Sequence, residues 1–145
     1  MALAPTSHEF RARVTAAIGD AERDTSGEIR VHIQHRVKGD IFAVAKARFE
    51  ELGMTATEQR NGVLFYVAIK DKRFSVLGDQ GINDRVPEGF WQETVDTMRQ
   101  HFSQDDLVGG LEAGIRQAGR ALKEFFPYQS DDVNELSDEI SYGKE

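Results

Sequence analysis

The sequence has no cysteine in its 145 residues, which excludes disulfides, zinc–thiolate sites, iron–sulfur clusters and thiol nucleophiles. It also lacks any stretch approaching the roughly 20 apolar residues of a membrane helix. Its first ten residues have neither the basic region nor the apolar region of a secretory signal. We therefore expect a cytoplasmic chain that is not inserted in a membrane.

Several binding and catalytic motifs are also missing. The chain has no P-loop, no G-x-G-x-x-G pattern and no helical calcium loop of the D-x-[DN]-x-[DN]-G type, so neither a nucleotide site nor an EF-hand is predicted. His32 and His35 lie three residues apart on a predicted strand, point to opposite sides of it and cannot share a metal there. No Ser–His–Asp arrangement is visible in the sequence.

The length and charge indicate one domain with an acidic end. A chain of 145 residues has the usual size of a single domain, and a net charge of −7 argues against nucleic acid or anionic membrane as the main partner. Residues 127–145 hold six acids and one lysine, whereas residues 1–126 hold 19 acids and 17 bases. We predict a domain over 1–126 and an acidic tail over 127–145, which docks on the domain through Val133, Leu136, Ile140 and Tyr142.

The hydrophobic pattern predicts helices alternating with strands. A capping box at Thr6 and Glu9 begins a helix that ends near Arg23. Three further helices are expected over about 40–53, 86–101 and 106–126. Their apolar stripes place Trp91 and the phenylalanines, Phe42 among them, in the core.

Three strands complete the predicted α/β fold. Residues 29–34 alternate apolar and polar side chains and predict a strand with one apolar face. Residues 62–69 are apolar without alternation, as expected of a strand covered on both faces in a parallel sheet. Residues 73–78 then return antiparallel. The result is a small mixed sheet, made of a βαβ unit plus an antiparallel hairpin strand, with flanking helices.

This topology gathers polar loops at one edge of the sheet, which we call the acidic rim. The loop 78–84 lies beside the beginnings of the first two strands, because those strands run parallel and the third runs back. The last helix returns the acidic tail to the same edge. The rim therefore comprises Glu28, Asp79, Asn83, Asp84 and the tail acids Asp131, Asp132 and Glu135, with Arg60 and Arg85 nearby.

Several of these segments resemble the TPM domain family. The resemblance covers about residues 8–126, and it is carried by Ser26-Gly27-Glu28, by residues 61–64, 71–73 and 78–82, and by residues 102–110. The tail is similar to that of small stand-alone bacterial members. The resemblance implies a three-layer α/β/α sandwich. It further implies divalent-metal binding, which some members show, and acid phosphatase activity, which is attributed to plant members.

The acidic rim has the oxygen donors that a hard cation prefers. Calcium takes six to eight oxygen ligands from carboxylates, amides and backbone carbonyls. Asp79 lies between Gly78 and Gly81, which permit tight turns and close approach to a ligand. We predict a divalent-cation site, for calcium or alternatively magnesium, formed by Glu28, Asp79, Asn83, Asp131, Asp132 and Glu135. The alternative is that Asp79 caps the following helix or its own turn.

Three functions stay open. The first is a binding or regulatory module that carries this cation. The second is a metal-dependent acid phosphatase, in which Arg60 or Arg85 holds the phosphate. Alternatively, these two arginines are solvated or pair with Glu58 and Asp84. The third function is a metal-free domain that binds a protein partner or forms a homodimer.

Overall fold

A computed structural model of the chain describes residues 4–128 and 140–143. The helices are α1 (His8–Asp24), α2 (Ile41–Glu51), a single turn α3 (Gln80–Asn83), α4 (Gln92–Phe102) and α5 (Leu107–Leu122). The strands are β1 (Glu28–Gln34), β2 (Gly62–Ala68), β3 (Arg73–Gly78) and β4 (Ser141–Tyr142).

The four strands form one mixed sheet in the order β3-β2-β1-β4. β1 and β2 are parallel, with Glu28 opposite Gly62, and β2 and β3 are antiparallel, with Val63 opposite Gly78. This arrangement confirms the predicted βαβ unit and hairpin strand. β4 was not predicted: it pairs in parallel with the outer edge of β1, so residues from the end of the chain lie beside its first strand.

Helices cover both faces of the sheet. Apolar residues of α1, α4 and α5 pack on one face, with Phe10, Phe65 and Met98 fully buried between them. α2 covers the other face, where Phe49, Leu64 and Tyr66 form a second, smaller cluster. The predicted three-layer α/β/α sandwich is therefore confirmed. Within the described part of the chain, no helix has the length and apolarity needed to cross a membrane.

The polar side of β1 is buried as well, in contrast to the single apolar face expected from its alternation. His32 is 1% exposed and Gln34 is 5% exposed, because α2 and β4 cover that side of the sheet. The alternation identified the polar side chains of β1 correctly, but these side chains are buried and not exposed to solvent. The hydrogen bond between His32 and Gln34 offsets the cost of burying these two polar side chains.

Two helices begin later than predicted. Ser7, not Thr6, is the N-cap of α1, and its hydroxyl accepts from the Phe10 amide at 3.1 Å. The third predicted helix was placed at Val86, but α4 begins at Gln92. Pro87 and Gly89 lie in the intervening turn, where Gly89 has φ +78° and the helical hydrogen-bond pattern is interrupted.

Two further predictions, one about the burial of a side chain and one about the end of a helix, also need correction. Phe42 was placed in the core, but it is 57% exposed on the first turn of α2. The last helix was expected to reach Pro127, but α5 ends at Leu122. The chain then turns, and Pro127 bridges back to Thr25 at the beginning of β1.

Candidate functional site

The acidic rim is formed where β1 and β2 begin and β3 ends. Glu28 lies opposite Gly62 on one side, and the Asp79 amide donates to the Gly62 carbonyl at 2.9 Å on the other. Glu28, Gly62 and Asp79 therefore form one row across three strands, and side chains in one row point to the same face. That face is the α2 side. The glycine leaves no side chain between the two carboxylates, whose Cα atoms lie about 10 Å apart, at ~4.8 Å per strand.

Asp79 is the most fully engaged residue of the rim. Its side chain is 5% exposed. It accepts from Arg60 Nε at 2.7 Å and from Arg60 Nη2 at 2.9 Å. It also caps α3 by accepting from the Gln80 amide at 2.7 Å. The sequence alternative had Asp79 cap the helix predicted over 86–101 or its own turn, but the helix that it caps is the short α3, which was not predicted. The bidentate bond to Asp79 raises the pKa of Arg60 above its usual value.

Arg60 pairs with Asp79, nineteen residues away, a partner that the sequence alternatives did not include. Its backbone adopts φ +51°, an uncommon value for a side chain other than glycine. The loop 78–81 is fitted closely against this backbone. The Gly81 amide donates to the Arg60 carbonyl at 2.9 Å.

The other predicted ligands of the described rim lie around this ion pair. Glu28 is 4% exposed, and its amide donates to the Asn61 carbonyl at 3.1 Å. Asn83 is exposed, and its Nδ2 donates to the Gly78 carbonyl at 3.2 Å. Arg85 lies apart from Asp79, with its guanidinium 4.6 Å from the centre of the Phe126 ring.

Asn61 is a polar residue of this edge that sequence reasoning did not select. It is 2% exposed, and its Nδ2 donates to the Ser26 carbonyl at 3.1 Å. Its Oδ1 is buried and has no hydrogen-bond partner within the described ranges. A buried amide oxygen without a donor can ligate a cation. The sequence signal was its position immediately before the most apolar strand.

The chain following α5 returns to the same edge. The Phe126 carbonyl accepts from the Ser26 amide at 2.9 Å and from the Thr25 hydroxyl. The tail therefore leaves the domain next to Glu28. The predicted ligands Asp131, Asp132 and Glu135 lie outside the described residues. Over residues 4–128 and 140–143, no group of three or more His, Asp or Glu side chains is placed to hold a metal.

A pocket of about 430 Å³ opens beside the ion pair, between α2, β3 and the segment 80–91. Asp79, Arg60, Asn83 and Lys46 contribute polar groups to its wall, and Phe42 lines its apolar side. The exposure of Phe42 is thus explained by its position at this pocket. The site combines buried oxygen donors, two cationic side chains and a space large enough for a small ligand.

Comparison with known proteins agrees with this architecture. The BA42 protein of the psychrophilic bacterium Bizionia argentinensis, solved by NMR, is 44% identical, with 94% of each chain covered and a TM-score of 0.90. The N-terminal domain of the cg2496 protein of Corynebacterium glutamicum has 14% identity, coverage of 99% and 86%, and a TM-score of 0.64. The N-terminal domain of a protein from P. gingivalis has 16% identity, coverage of 85% and 81%, and a TM-score of 0.68.

The last two similarities show a shared fold alone. No curated protein matches this sequence. The family model described as the TPM domain matches residues 7–121. Since that match spans most of the chain, and the BA42 protein shares both the fold and 44% of the sequence, the chain belongs to the TPM domain family.

Proposed function

We propose that this TPM domain is a divalent-cation-binding module whose ion, calcium, is held at the acidic rim. The observation that carries the proposal is the row of Glu28, Gly62 and Asp79, in which two carboxylates at least 94% buried face the same side of the sheet. The Asp79 carboxylate has the guanidinium of Arg60 as its counter-ion. Two carboxylates on one face also repel each other, and a divalent ion bound near both would relieve that repulsion.

The chemistry of the available donors supports a hard cation. The donors are carboxylate oxygens from Glu28 and Asp79, amide oxygens from Asn61 and Asn83, and loop carbonyls, and all of these suit calcium better than softer metals. The described residues alone supply fewer than six to eight ligands from side chains. The proposal therefore includes the tail acids Asp131, Asp132 and Glu135, together with water.

Arg60 would compete with the ion for Asp79. Its guanidinium already donates to both oxygens of that carboxylate, but its side chain is 43% exposed and can turn into solvent. Calcium binding is then an exchange of one cation for another. The exchange would leave Arg60 free in the pocket wall, where it could bind an anion carried by a ligand.

The test is calcium titration of the full chain. Melting curves should shift upward between chelator and millimolar calcium, with about 2.7 kcal/mol of added stability at 100 times the dissociation constant. Asp79→Asn, which removes a charge at nearly constant volume, should abolish the shift. Arg60→Gln removes the competing guanidinium and should tighten calcium binding measured by calorimetry.

The matched control is Asp96→Asn, an exposed acid on α4 that accepts from Gln92 Nε2 at 2.8 Å and lies 3.8 Å from Arg99. It should leave calcium affinity unchanged. Superimposable melting curves with and without calcium would overturn the proposal. So would equal affinity in the wild type and Asp79→Asn.

A metal-dependent phosphatase is the second candidate, and the pocket beside Asp79 favours it. Lys46 and Arg60 line that space, and both can hold a phosphate ester next to a rim-bound ion. Phosphate release that requires calcium or magnesium and disappears in Asp79→Asn would support it. Calcium binding without phosphate release would support the binding module. Absence of both calcium binding and phosphate release would support a metal-free domain that binds a protein partner.

A further inference from the structure

β3 is one edge of the sheet, because the strand order is β3-β2-β1-β4. The Asp79 amide donates to the Gly62 carbonyl at 2.9 Å, which makes these two residues a hydrogen-bonded pair of the ladder between β2 and β3. Such pairs alternate in an antiparallel ladder, so the odd-numbered residues of β3 bond to β2. The even-numbered residues Phe74, Val76 and Gly78 therefore point their backbone N–H and C=O groups away from the sheet.

Most of these outward groups have no partner in the part of the chain that the structure describes. The Gly78 carbonyl accepts from Asn83 Nδ2 at 3.2 Å. Over residues 4–128 and 140–143, no hydrogen bond uses the Gly78 amide or the backbone amides and carbonyls of Phe74 and Val76. A sheet edge in this condition can pair with one more strand.

The pocket of about 430 Å³ beside Asp79 lies along this edge. Val76 and Leu77 both line it, although their side chains point to opposite faces of the sheet and belong to the larger and the smaller core cluster. A space that both residues line is at the edge of β3 and not over either face. We call it the β3 groove, and the outward backbone groups of Val76 and Gly78 form part of its floor.

Two walls flank the β3 groove. α2 forms one wall, where Phe42, Lys46 and Phe49 lie on one stripe of the helix. Trp91, from the segment before α4, forms the other. A second copy of the chain would bring the same two walls to the contact, and these would collide before two β3 edges reached the ~4.8 Å spacing of paired strands. A single extended segment has no such walls and fits between them.

The walls determine which side chains such a segment would carry. Successive side chains of an added strand point to opposite faces, so one set meets α2 and the other meets Trp91. On the α2 wall, Phe42 is 57% exposed and offers an apolar surface. Lys46 is exposed on the same wall and has no ion pair within the described ranges. An apolar residue and a carboxylate two positions apart match these two side chains.

We propose that the β3 groove binds an extended segment of a partner protein as an added strand, with an apolar residue against Phe42 and an acidic residue two positions away against Lys46. The backbone of β3 supplies the hydrogen bonds, and the two walls select the sequence. The proposal goes beyond calcium binding and does not depend on it, because it uses the edge of β3 and not the carboxylates of the acidic rim.

Fluorescence anisotropy of the full chain with a labelled peptide, GSVLVEVS, tests the proposal. Its leucine and glutamate lie two positions apart, and the valines favour an extended chain. Binding should be saturable in the presence of chelator, which separates this test from that of the calcium site. Phe42→Ala and Lys46→Glu should each weaken binding by about tenfold, equivalent to ~1.4 kcal/mol. Absence of saturable binding to the wild type would overturn the proposal.

A charge exchange and a matched control identify the contact with Lys46. The peptide GSVLVKVS should bind Lys46→Glu more tightly than it binds the wild type. Lys38→Glu makes the same charge change at an exposed position outside the groove and should leave the affinity for GSVLVEVS unchanged. Equal losses for Lys46→Glu and Lys38→Glu would show a general charge effect and contradict the proposed contact.

N-methylation of the peptide separates strand addition from binding through side chains alone. In an added strand, the N–H groups of alternate residues point to β3, and the N–H groups between them point to solvent. Methylation of one alternate set should therefore abolish binding, and methylation of the other set should leave binding nearly unchanged. Equal effects of the two sets would refute strand addition.

Amide hydrogen exchange locates the peptide without any variant. In the free chain, the amides of Val76 and Gly78 should exchange faster than those of Ser75 and Leu77, which bond to β2. Saturating peptide should slow exchange at Val76 and Gly78 and leave the Phe65 amide of β2 unchanged. Peptide binding without this protection would place the peptide elsewhere and refute the proposal. A dimer joined through β3 in sedimentation measurements would also refute it, since a second copy would then occupy the edge.

Discussion

Gly81 lies where the loop after β3 packs on the backbone before β2. A Cβ added there would lie 2.1 Å from the Gln59 carbonyl oxygen and 2.6 Å from that of Arg60. These are backbone atoms, which cannot rotate away as a flexible side chain can. Position 81 in this turn therefore has to be glycine for steric reasons, whatever ligand the rim binds.

Gly81→Ala should lower the free energy of unfolding by about 1–3 kcal/mol, the usual cost of overpacking. It should also disturb the Arg60–Asp79 pair, because the Arg60 backbone must move. Gly19→Ala is the matched control: Gly19 lies inside α1 with no neighbour within 4 Å of an added Cβ. That change should stabilise the chain by about 0.5–1 kcal/mol. Urea unfolding of both variants measures the difference, and equal effects would contradict the steric argument.

The N-terminus of α5 is fixed by Asp106. One oxygen accepts from the Gly109 amide at 3.1 Å and the other lies 2.9 Å from His101 Nδ1 at the end of α4. The hydrogen bond to His101, and to a lesser degree that to the Gly109 amide, lowers the pKa of Asp106. One carboxylate thus caps one helix and ties it to the preceding helix.

Asp106→Ala should cost about 1 kcal/mol of stability at neutral pH, as expected for the loss of an N-cap. Because the pKa of Asp106 is lower in the folded state, its contribution is complete above about pH 4 and is lost as pH falls through the lowered value. Urea unfolding at several pH values should show the gap between wild type and variant closing in acid. Asp105→Asn, at an exposed position with φ +59°, should stay within about 0.5 kcal/mol of the wild type. A gap that is independent of pH would exclude this linkage.

At the scale of the whole molecule, Phe126 joins α5, the beginning of β1 and the loop after α3. Its side chain is 1% exposed in the larger core cluster, its carbonyl accepts from Ser26, and Arg85 lies over its ring. Through it, the chain is directed from the helical layer back to the acidic rim.

Phe126→Ala should cost about 3–5 kcal/mol, as for other buried aromatic side chains. Phe42→Ala removes the same side chain at a position that is 57% exposed and should change stability by about 0.5 kcal/mol or less. Thermal or urea unfolding compares the two directly. Similar losses for both would mean that exposure does not separate their roles.

The sequence by itself determined the four long helices and the three longer strands and their order, but not the single turn α3 or the short edge strand β4. The unbroken apolar run of β2 predicted a strand buried on both sides, and the stripe of α5 predicted a helix packed on the sheet, because side-chain periodicity reports burial directly. The family resemblance came from the same local segments. The predicted start of α4 was wrong because the apolar spacing typical of a helix continues through Pro87 and Gly89, where the chain forms a turn instead.

The tertiary structure alone decided which polar groups meet. Arg60 and Asp79 are nineteen residues apart, and His32 and Ser141 are joined only through a strand pairing that two residues cannot signal in sequence. Likewise, the exposure of Phe42 depends on the pocket next to it, not on its place in a stripe. Periodicity shows which side of an element is covered. Partner choice depends on distances between elements, and these distances exist only once the sheet and its layers are assembled.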